Sequence, residues 1–476
     1  MEGKGSRMTI KDKYDVIIVG AGPAGIFTAI ELTKNRDLDV LIIDKGRQIL
    51  KRTCPARTGE CTNCDPCAIV TGWAGAGAFS DGKLSLSPEV GGNITDYLEE
   101  QEAEELIKYA DEIYLKFGAN REVHGMNERK VDELVYEASK YGIKLVPCPV
   151  RHLGTDKAFD VLKAMYDYLV KKGIEFGELT TAQDILVREG RVTGIRIKQK
   201  GQEEKEVQAE YIVVAPGRGG AEWLSGQAAK LGISTRNNAV DIGVRVEVPN
   251  SVIDHLTRDL YEAKMVYYSD TFENKVRTFC MNPGGVVSEE HYEGGIVVVN
   301  GHSYSDQKLR TKNTNFALLV STAFTEPFNQ PIEYGKYIAK LANMLTGGGI
   351  MVQRLGDLLK GRRTDYGRLK KSTTIPTLKS AVPGDLSFVL PDRHLTSIVE
   401  ALKAFDSLAP NLYSRNTLLY GCEVKFYSSK IEVDNRFQTK IKNLYTIGDG
   451  AGITRGLMQA SVTGVVVARE ILKRSK

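Results

Sequence analysis

The beginning of the chain joins two short apolar runs through a glycine-rich turn. Residues 14–32 read YDVIIVGAGPAGIFTAIEL, in which the apolar run Val16–Val19 is followed by Gly20, Gly22 and Gly25. A short run that is apolar throughout suits a strand buried on both faces, and the run after the glycines suits a helix packed on it. The pattern therefore predicts a strand–turn–helix unit.

The three glycines have the spacing of a dinucleotide-binding turn. In such a turn Gly20 allows a tight bend, Gly22 lets the backbone approach a pyrophosphate, and Gly25 lets the helix pack on the strand. The free N–H groups and the positive dipole end of the new helix then face the phosphates. A glycine-rich turn without a ligand is the alternative. We favour the nucleotide because the next apolar run ends in Asp44, where an acid is placed to bind a ribose hydroxyl.

Further along, the period of the apolar positions changes from that of helices to that of strands and back. Helices are predicted near Ile94–Phe117, Arg129–Tyr141, Lys157–Lys172, Phe316–Phe324, Ile332–Leu345, Leu395–Leu408 and Gly456–Leu472. Strands are predicted near Ile143–Pro147, Ile185–Val187, Val192–Ile197, Val207–Ala209, Tyr211–Ala215, Val244–Val248, Gly295–Val299, Ser387–Leu390 and Leu444–Ile447. The strands between residues 185 and 209 form a predicted meander.

Composition and charge narrow the class of protein. The 476 residues are 42% hydrophobic, and 64 basic and 60 acidic residues leave a net charge of only +4. Because no basic tract is present, a nucleic-acid partner is not expected. No apolar run reaches the length of a bilayer span, and the N-terminus lacks the apolar core of a signal peptide. Seven cysteines without such a signal indicate a reducing compartment, and we expect a cytoplasmic protein.

Several separated motifs resemble one family of flavoproteins. The opening GAGPAG with Asp44, the turn Ala215–Gly217 and the C-terminal LYTIGDGAG resemble the glutathione-reductase-like FAD-binding fold. More narrowly, five stretches resemble a group of uncharacterised FAD-dependent dehydrogenases: GWAGAGAFSDGKLSLS (72–87), RHLGTD (151–156), VDIGVRVEVP (240–249), TFCMNPGG (278–285) and GDGAGITRGLMQAS (448–461). This resemblance covers nearly the whole chain and implies FAD as the cofactor.

The resemblance also implies a fold and a domain plan. The fold class is α/β, with a Rossmann-like FAD-binding domain of the glutathione reductase type, a parallel sheet plus a β-meander, and an inserted α+β substrate domain. The FAD-binding domain is expected to be discontinuous, over residues 1–90, 150–240 and 425–476. Residues 91–149 are expected to form a helical insertion, and residues 241–424 a substrate or cap domain.

Carried over residue by residue, the resemblance implies a set of cofactor contacts. Asp44 should hold the adenosine ribose, Ala182 the adenine through its backbone, and Asp449 the ribityl chain or a phosphate. Gly75 and Gly77 should let their loop approach the flavin. The complete expected cofactor set is Gly20, Gly22, Pro23, Ala24, Gly25, Asp44, Lys45, Gly75, Gly77, Ala182, Ala215, Gly217, Gly448, Asp449, Gly456 and Leu457. Pro216 departs from the many relatives that carry Thr at this position.

The expected reaction is hydride transfer between the flavin and a small organic molecule, such as the reduction of a C=C bond. The helix that begins near Gly456 should aim its positive end at the reduced flavin, with Arg455 adding a charge. His152 and His302 are candidate proton donors, and packing is the other interpretation of each. Because only one dinucleotide motif is present, NAD(P)H would bind transiently, or electrons would come from ferredoxin or a quinone. The alternatives are a tRNA-modifying flavoprotein, which the weak net charge disfavours, and a non-catalytic carrier of a prenyl group or a partner.

Four cysteines form a cluster between Asp44 and the glycine-rich loop. Cys54, Cys61, Cys64 and Cys67 lie close together, the last three as CxxCxxC. Thiolates at this spacing can bind zinc or a [4Fe–4S] cluster. A flavin-linked dithiol and ordinary reduced loop thiols are the two other interpretations.

Overall fold

The computed structural model of this protein describes residues 9–35, 37–55, 62, 64–80, 82–292, 294–304 and 306–475. The chain divides into two compact units. Unit 1 comprises Met1–Arg121, His152–Arg236 and Ser428–Lys476, and unit 2 comprises Glu122–Arg151 and Asn237–Tyr427. Unit 1 therefore includes residues 91–121, which the sequence-based plan assigns to a helical insertion that continues to residue 149.

Strands account for much of both units. In chain order the described strands are β1 (Lys13–Val19), β2 (Val40–Ile43), β3 (Lys83–Ser85), β4 (Lys144–Val146), β5 (Val150–His152), β6 (Glu175–Gly177), β7 (Thr180–Arg188), β8 (Arg191–Gln199), β9 (Glu204–Val214), β10 (Thr235–Arg236), β11 (Val240–Pro249), β12 (Lys264–Tyr268), β13 (Lys275–Asn282), β14 (Val286–Tyr292), β15 (Ile296–His302), β16 (Asn313–Thr322), β17 (Met351–Arg354), β18 (Val382–Pro383), β19 (Leu418–Lys425), β20 (Lys430–Ile431) and β21 (Leu444–Thr446).

The helices match most of the predicted ones to within a few residues. In chain order the described helices are α1 (Pro23–Leu32), α2 (Glu100–Lys116), α3 (Glu128–Ser139), α4 (Thr155–Lys171), α5 (Ala221–Lys230), α6 (Asn250–Leu260), α7 (Pro331–Thr346), α8 (Leu355–Leu358), α9 (Tyr366–Lys370), α10 (Asp392–Asp406) and α11 (Leu457–Arg474). No helix in these described ranges is long and apolar enough to cross a bilayer.

The sheet of unit 1 combines a parallel half with a meander. Its strand order is β6-β2-β1-β9-β8-β7, and β21 pairs with β9. The pairs β2–β6, β1–β2, β1–β9 and β9–β21 are parallel, whereas β7–β8 and β8–β9 are antiparallel. Ile17 and Ile18 point to opposite faces of β1, and both are fully buried. This parallel half is the strand pattern that the apolar runs predict.

The central sheet of unit 2 is mostly antiparallel. Its strand order is β18-β17-β19-β11-β16-β13-β12-β4, and β14 and β15 form a separate antiparallel pair. On β11 the even-numbered residues Ile242, Val244 and Val246 join the apolar core that includes Ile398 and Phe405 of α10. Alternation along β11 gives the odd-numbered residues the opposite face of the sheet.

That opposite face carries buried charges. Arg245 and Glu423 are fully buried and form a two-point ion pair, with Nε–Oε2 at 2.8 Å and Nη2–Oε1 at 2.7 Å. Arg245 also donates to Asn315 Oδ1 at 2.9 Å, and Lys425 lies 3.2 Å from Glu423. Although burial by itself lowers the pKa of Arg245, the Glu423 carboxylate outweighs it and raises the pKa. The guanidinium therefore stays charged inside the unit.

Two element predictions in unit 2 are wrong. Residues 316–324, predicted as a helix, lie mostly in β16, which pairs with β11 and β13. A short apolar run does not distinguish a buried helix from a central strand by its period, so the pairing decides. Ser387–Leu390, predicted as a strand, begins in a 3₁₀ turn over Leu386–Phe388 because the Asp385 side chain accepts the N–H of Ser387.

Candidate functional site

The glycine turn of unit 1 is built on two close backbone approaches and one open position. Gly20 has a φ of +103°, and a Cβ there would lie 2.1 Å from the carbonyl oxygen of Ala215 at the end of β9. A Cβ on Gly25 would lie 2.1 Å from the carbonyl oxygen of Gly20, so α1 packs directly on the turn. A Cβ on Gly22 would meet no atom within 4 Å. Space for a ligand therefore lies at Gly22, the N-cap of α1.

The loop of residues 72–79 packs on that turn. The N–H of Ala74 donates to Ala21 O at 2.7 Å, and a Cβ on Gly75 would lie 3.5 Å from Gly22 Cα. A Cβ on Gly77 would lie 2.9 Å from Leu457 Cδ2 and 3.8 Å from Pro23 Cγ. Because Pro23 begins α1 and Leu457 begins α11, the loop lies where the first turns of these two helices meet.

The N-terminus of α11 has no side-chain cap. Gly456 is its N-cap and makes no side-chain hydrogen bond to the first turn. The N–H groups of that turn have no partner inside the helix and carry the positive end of its dipole. The N–H of Arg455 donates to Gly91 O at 2.7 Å and fixes the entry to the helix. Further along α11, a Cβ on Gly464 would lie 2.2 Å from Ala24 O, so the helix crosses α1 in close contact.

The carboxylate of Asp44 binds three backbone N–H groups. Oδ2 accepts from Ala21 at 3.0 Å, and Oδ1 accepts from Gly46 and Gly72, each at 2.8 Å. An ionised carboxylate offers about four acceptor positions. One position therefore remains, which allows at most one bond from a ribose hydroxyl.

The side chain of Arg52 was not predicted to contribute to the site. It is 6% exposed, and its guanidinium donates to the carbonyl oxygens of Ala68, Ile69 and Trp73. It also stacks over Phe79, with the guanidinium carbon 4.8 Å from the ring centroid. Burial lowers the pKa of Arg52 to about 10, which still leaves it protonated at neutral pH. No motif marks this residue, because its described hydrogen bonds all go to backbone carbonyls of a loop.

The C-terminal turn lies against the strand end of β9. A Cβ on Gly450 would lie 2.5 Å from Gly217 O, and one on Gly448 would lie 3.2 Å from Ala24 Cβ. Asp449 Oδ1 accepts from the Thr454 hydroxyl at 2.7 Å, and Oδ2 lies 3.7 Å from Arg218 Nε. The structure thus brings the predicted residues of the first, middle and last segments together in unit 1.

The remaining cofactor candidates lie around this centre. Lys45 Nζ donates to Gly219 O at 3.3 Å, and Ala215 N donates to Val19 O at 2.7 Å. Ala182 is buried in β7 next to a shift in register with β8. A bulge of this kind re-aims backbone groups.

The two candidate histidines fall in different units. His152 ends β5, is 6% exposed, and its carbonyl oxygen accepts from Asn120 Nδ2 at 2.6 Å within unit 1. His302 ends β15 in unit 2 and pairs with Val286. The role in proton transfer stays a prediction for each.

The predicted metal cluster is described only in part. Cys54 is half-buried, Cys64 and Cys67 are exposed, and all three are free thiols. Cys61 lies outside the described residues. Within the described ranges, no three His, Cys, Asp or Glu side chains are arranged to hold a metal ion. A four-thiol site therefore stays a prediction.

Three protein families match parts of the chain. Residues 18–51 match the NAD(P)-binding Rossmann-like domain, and residues 120–241 match the FAD binding domain. Residues 239–426 match the family described as FAD-dependent protein, C-terminal domain-like. The second match assigns FAD as the cofactor, and the first covers the glycine turn and Asp44.

Two curated relatives are similar to this chain over very different lengths. An uncharacterised protein of Clostridium beijerinckii is 28% identical over 482 residues, which is 96% of this chain and 80% of that protein. A digeranylgeranylglycerophospholipid reductase of Methanosarcina mazei is 35% identical over 103 residues, which is 19% of this chain and 24% of that protein.

Solved structures match the chain at low similarity. E. coli quinol fumarate reductase has a TM-score of 0.42 at 14% identity, covering 97% of this chain and 70% of its own. L-proline dehydrogenase from P. horikoshii has a TM-score of 0.42 at 12% identity, covering 98% and 95%. TM-scores and identities this low do not specify a subtype of the fold or a substrate.

Proposed function

We propose that unit 1 of this FAD-dependent oxidoreductase binds FAD between the first turns of α1 and α11. The matches to a Rossmann-like domain and to an FAD binding domain support this site. In this arrangement the pyrophosphate lies at Gly22 and the isoalloxazine ring lies beside the loop of residues 72–79. The enzyme then transfers hydride between the flavin and a small organic substrate.

One observation carries this proposal. A Cβ on Gly77 would lie near both Pro23, the first residue of α1, and Leu457, the first residue of α11. Two helix N-termini at one glycine-rich loop give two positive dipole ends in one place. FAD has two groups that need such ends, the pyrophosphate and the N1–C2 edge of the ring, which becomes negative on reduction.

The residues present fit the cofactor. The open position at Gly22 gives the backbone access that a pyrophosphate requires. For the adenosine half we propose one ribose hydroxyl at Asp44 Oδ2, with Ala182, Ala215 and Gly217 lining the adenine side. For the flavin half we propose that Asp449 accepts from a ribityl hydroxyl, because a carboxylate repels a phosphate.

Bound FAD supplies the acceptor and donor of hydride, and the protein supplies position and charge. The uncapped first turn of α11 would offer its N–H groups to the edge of the ring that gains charge. Arg455, which enters the helix directly before Gly456, adds a positive charge there. We propose His152 of unit 1 as the proton donor, while the role predicted for His302 of unit 2 stays a prediction from the sequence.

A small apolar or conjugated molecule reduced at a C=C bond is the proposed substrate. The short match to a digeranylgeranylglycerophospholipid reductase supports a reductase reaction. Because the chain carries one dinucleotide motif, we propose that electrons come from ferredoxin, a quinone or transiently bound NAD(P)H. Anaerobic photoreduction of the yellow protein, followed by re-oxidation with a panel of acceptors, identifies the substrate class.

Gly22→Val tests the cofactor site. The new side chain would fill the space reserved for the pyrophosphate without striking protein atoms, so the variant should fold and lose FAD. The loss is measured as the disappearance of the flavin absorbance band near 450 nm from the purified protein. Gly226→Val is the matched control, because Gly226 is an exposed glycine of α5 whose Cβ would also meet nothing within 4 Å. A folded Gly22→Val protein that kept its flavin would overturn the proposed site.

A further inference from the structure

Two oppositely charged side chains form hydrogen bonds with the backbone of residues 68–74. One binds an N–H group of this segment, and the other binds its carbonyl oxygens. Asp44 accepts the N–H of Gly72, and Arg52 donates to the carbonyl oxygens of Ala68, Ile69 and Trp73. We propose that Asp44 and Arg52 are a pair of positioning residues that fix this segment on the glycine turn before FAD binds. The inference rests on the proposed FAD site and assigns Asp44 a role other than gripping the ribose.

The acceptor count of Asp44 supports this role. Its three bonds link the glycine turn at Ala21, the strand end at Gly46 and the loop at Gly72. A residue that bound two ribose hydroxyls would need two acceptor positions for them. Here one acceptor position remains, so cofactor contact is the smaller part of what the carboxylate does.

The surroundings of Gly72 show how tightly the segment is seated. A Cβ on Gly46 would lie 2.3 Å from Gly72 N, and one on Gly72 would lie 2.5 Å from Arg47 O. Trp73 N also donates to Arg47 O at 3.0 Å. Three consecutive N–H groups of the segment are therefore bound, to Asp44, to Arg47 and, through Ala74, to Ala21 of the glycine turn. The position of the segment sets where Gly75 and Gly77 lie.

Arg52 is placed to hold the other side. It is a buried cation whose described hydrogen bonds all go to backbone carbonyls of residues 68–73. Burying a guanidinium is costly unless its donors are satisfied. Here the donors are satisfied only while the segment keeps its present path, so Arg52 stabilises that path.

A positioning role for Asp44 and Arg52 makes predictions that ribose binding alone does not make. Arg52→Met should raise the dissociation constant for FAD about tenfold to hundredfold, because bonds from a charged group are lost. Asp44→Asn should also raise the dissociation constant, because an NH2 group would replace one carboxylate oxygen. That NH2 group cannot accept a hydrogen bond from the backbone N–H that it would face. In both variants, backbone amides of residues 68–80 should exchange hydrogen faster than in the wild type, with FAD removed as well as with FAD bound.

The experiment uses the full chain and two readouts, flavin fluorescence titration for FAD affinity and hydrogen exchange followed by mass spectrometry. Asp39→Asn and Arg47→Gln are the controls, because both are exposed charged residues near the same strand and loop. Arg52→Lys keeps the charge with fewer fixed donors and should fall between the wild type and Arg52→Met. If Arg52→Met fails to fold, the Lys variant still decides.

Two outcomes would contradict the positioning role of Asp44 and Arg52. Unchanged exchange over residues 68–80 in the Asp44 and Arg52 variants would remove the positioning role. Weaker FAD binding in Asp44→Asn alone, with Arg52→Lys and Arg52→Met like the wild type, would return Asp44 to ribose contact only. In either case Gly22→Val still reports separately on the FAD site, so the two proposals fail independently.

Discussion

The two units solve opposite packing problems. In unit 1, the turn after β1 is made of backbone atoms brought so close that a Cβ on Gly20 or Gly25 would lie 2.1 Å from a carbonyl oxygen. In unit 2, one face of the central sheet buries charged side chains, among them Arg245 and Glu423 at 0% exposure. Close packing needs residues without side chains, whereas burial of charge needs side chains that find partners.

The difference explains what each unit tolerates. Unit 1 should lose stability where atoms are added at Gly20, Gly25 or Gly464, because backbone carbonyl oxygens leave no space there. Unit 2 should lose stability where a buried charged side chain loses its partner, because water cannot take the place of that partner. Three changes test this contrast, from the largest expected effect to the smallest.

Arg245→Met should destabilise the protein by about 3–5 kcal/mol, because it leaves the Glu423 carboxylate buried with Lys425 as its remaining cation. The measurement is the free energy of unfolding in urea at pH 7. Adding Glu423→Gln should recover part of the loss. Arg129→Met is the control, since the Arg129–Glu133 pair is exposed on α3 and should change stability little. A cost no larger than that of the control would remove the contrast between the units.

His394 gives unit 2 a dependence on pH. It is 3% exposed and contacts Thr322 Oγ1 at 2.9 Å, and burial, with Arg393 nearby, lowers the pKa of its ring to about 4. Between pH 6.5 and 4 the unfolded chain binds a proton that the folded protein does not, so stability falls as the pH falls. The expected loss across this window is about 3 kcal/mol.

The check is urea unfolding of the wild type and His394→Gln at intervals of pH. The glutamine keeps a partner for Thr322 but does not titrate, so its curve should be flatter between pH 6.5 and 4. Parallel curves for the two proteins would show that His394 is not the source of the slope.

Gly464→Ala should destabilise unit 1 by about 1–3 kcal/mol through overpacking, because its Cβ would lie 2.2 Å from Ala24 O. Gly226→Ala, on the exposed face of α5, should instead be neutral or slightly stabilising, because alanine favours a helix. Thermal unfolding of the two variants measures the contrast. Similar behaviour of both would indicate that α1 and α11 separate easily.

Sequence patterns predicted best the parts of the candidate site that depend on local backbone geometry. The turn at Gly20, Gly22 and Gly25 and the start of α11 after Gly456 are found where their motifs indicate. The strand predicted at Val244–Val248 is also found, as part of β11. The helix predicted at residues 316–324 was wrong, because an apolar run in a central strand lacks a distinguishing period.

The sequence by itself determined the strand, turn and helix of the dinucleotide motif, since these depend on residues close together in the chain and on glycines that nothing else can replace. Only the tertiary structure decided that Asp44 binds Ala21 and Gly72, that Arg52 holds residues 68–73, and that Arg245 meets Glu423. These contacts join distant positions, and a charged residue in a sequence does not reveal which distant group will satisfy it. Burial makes such partners obligatory, but the folding of the whole chain selects them.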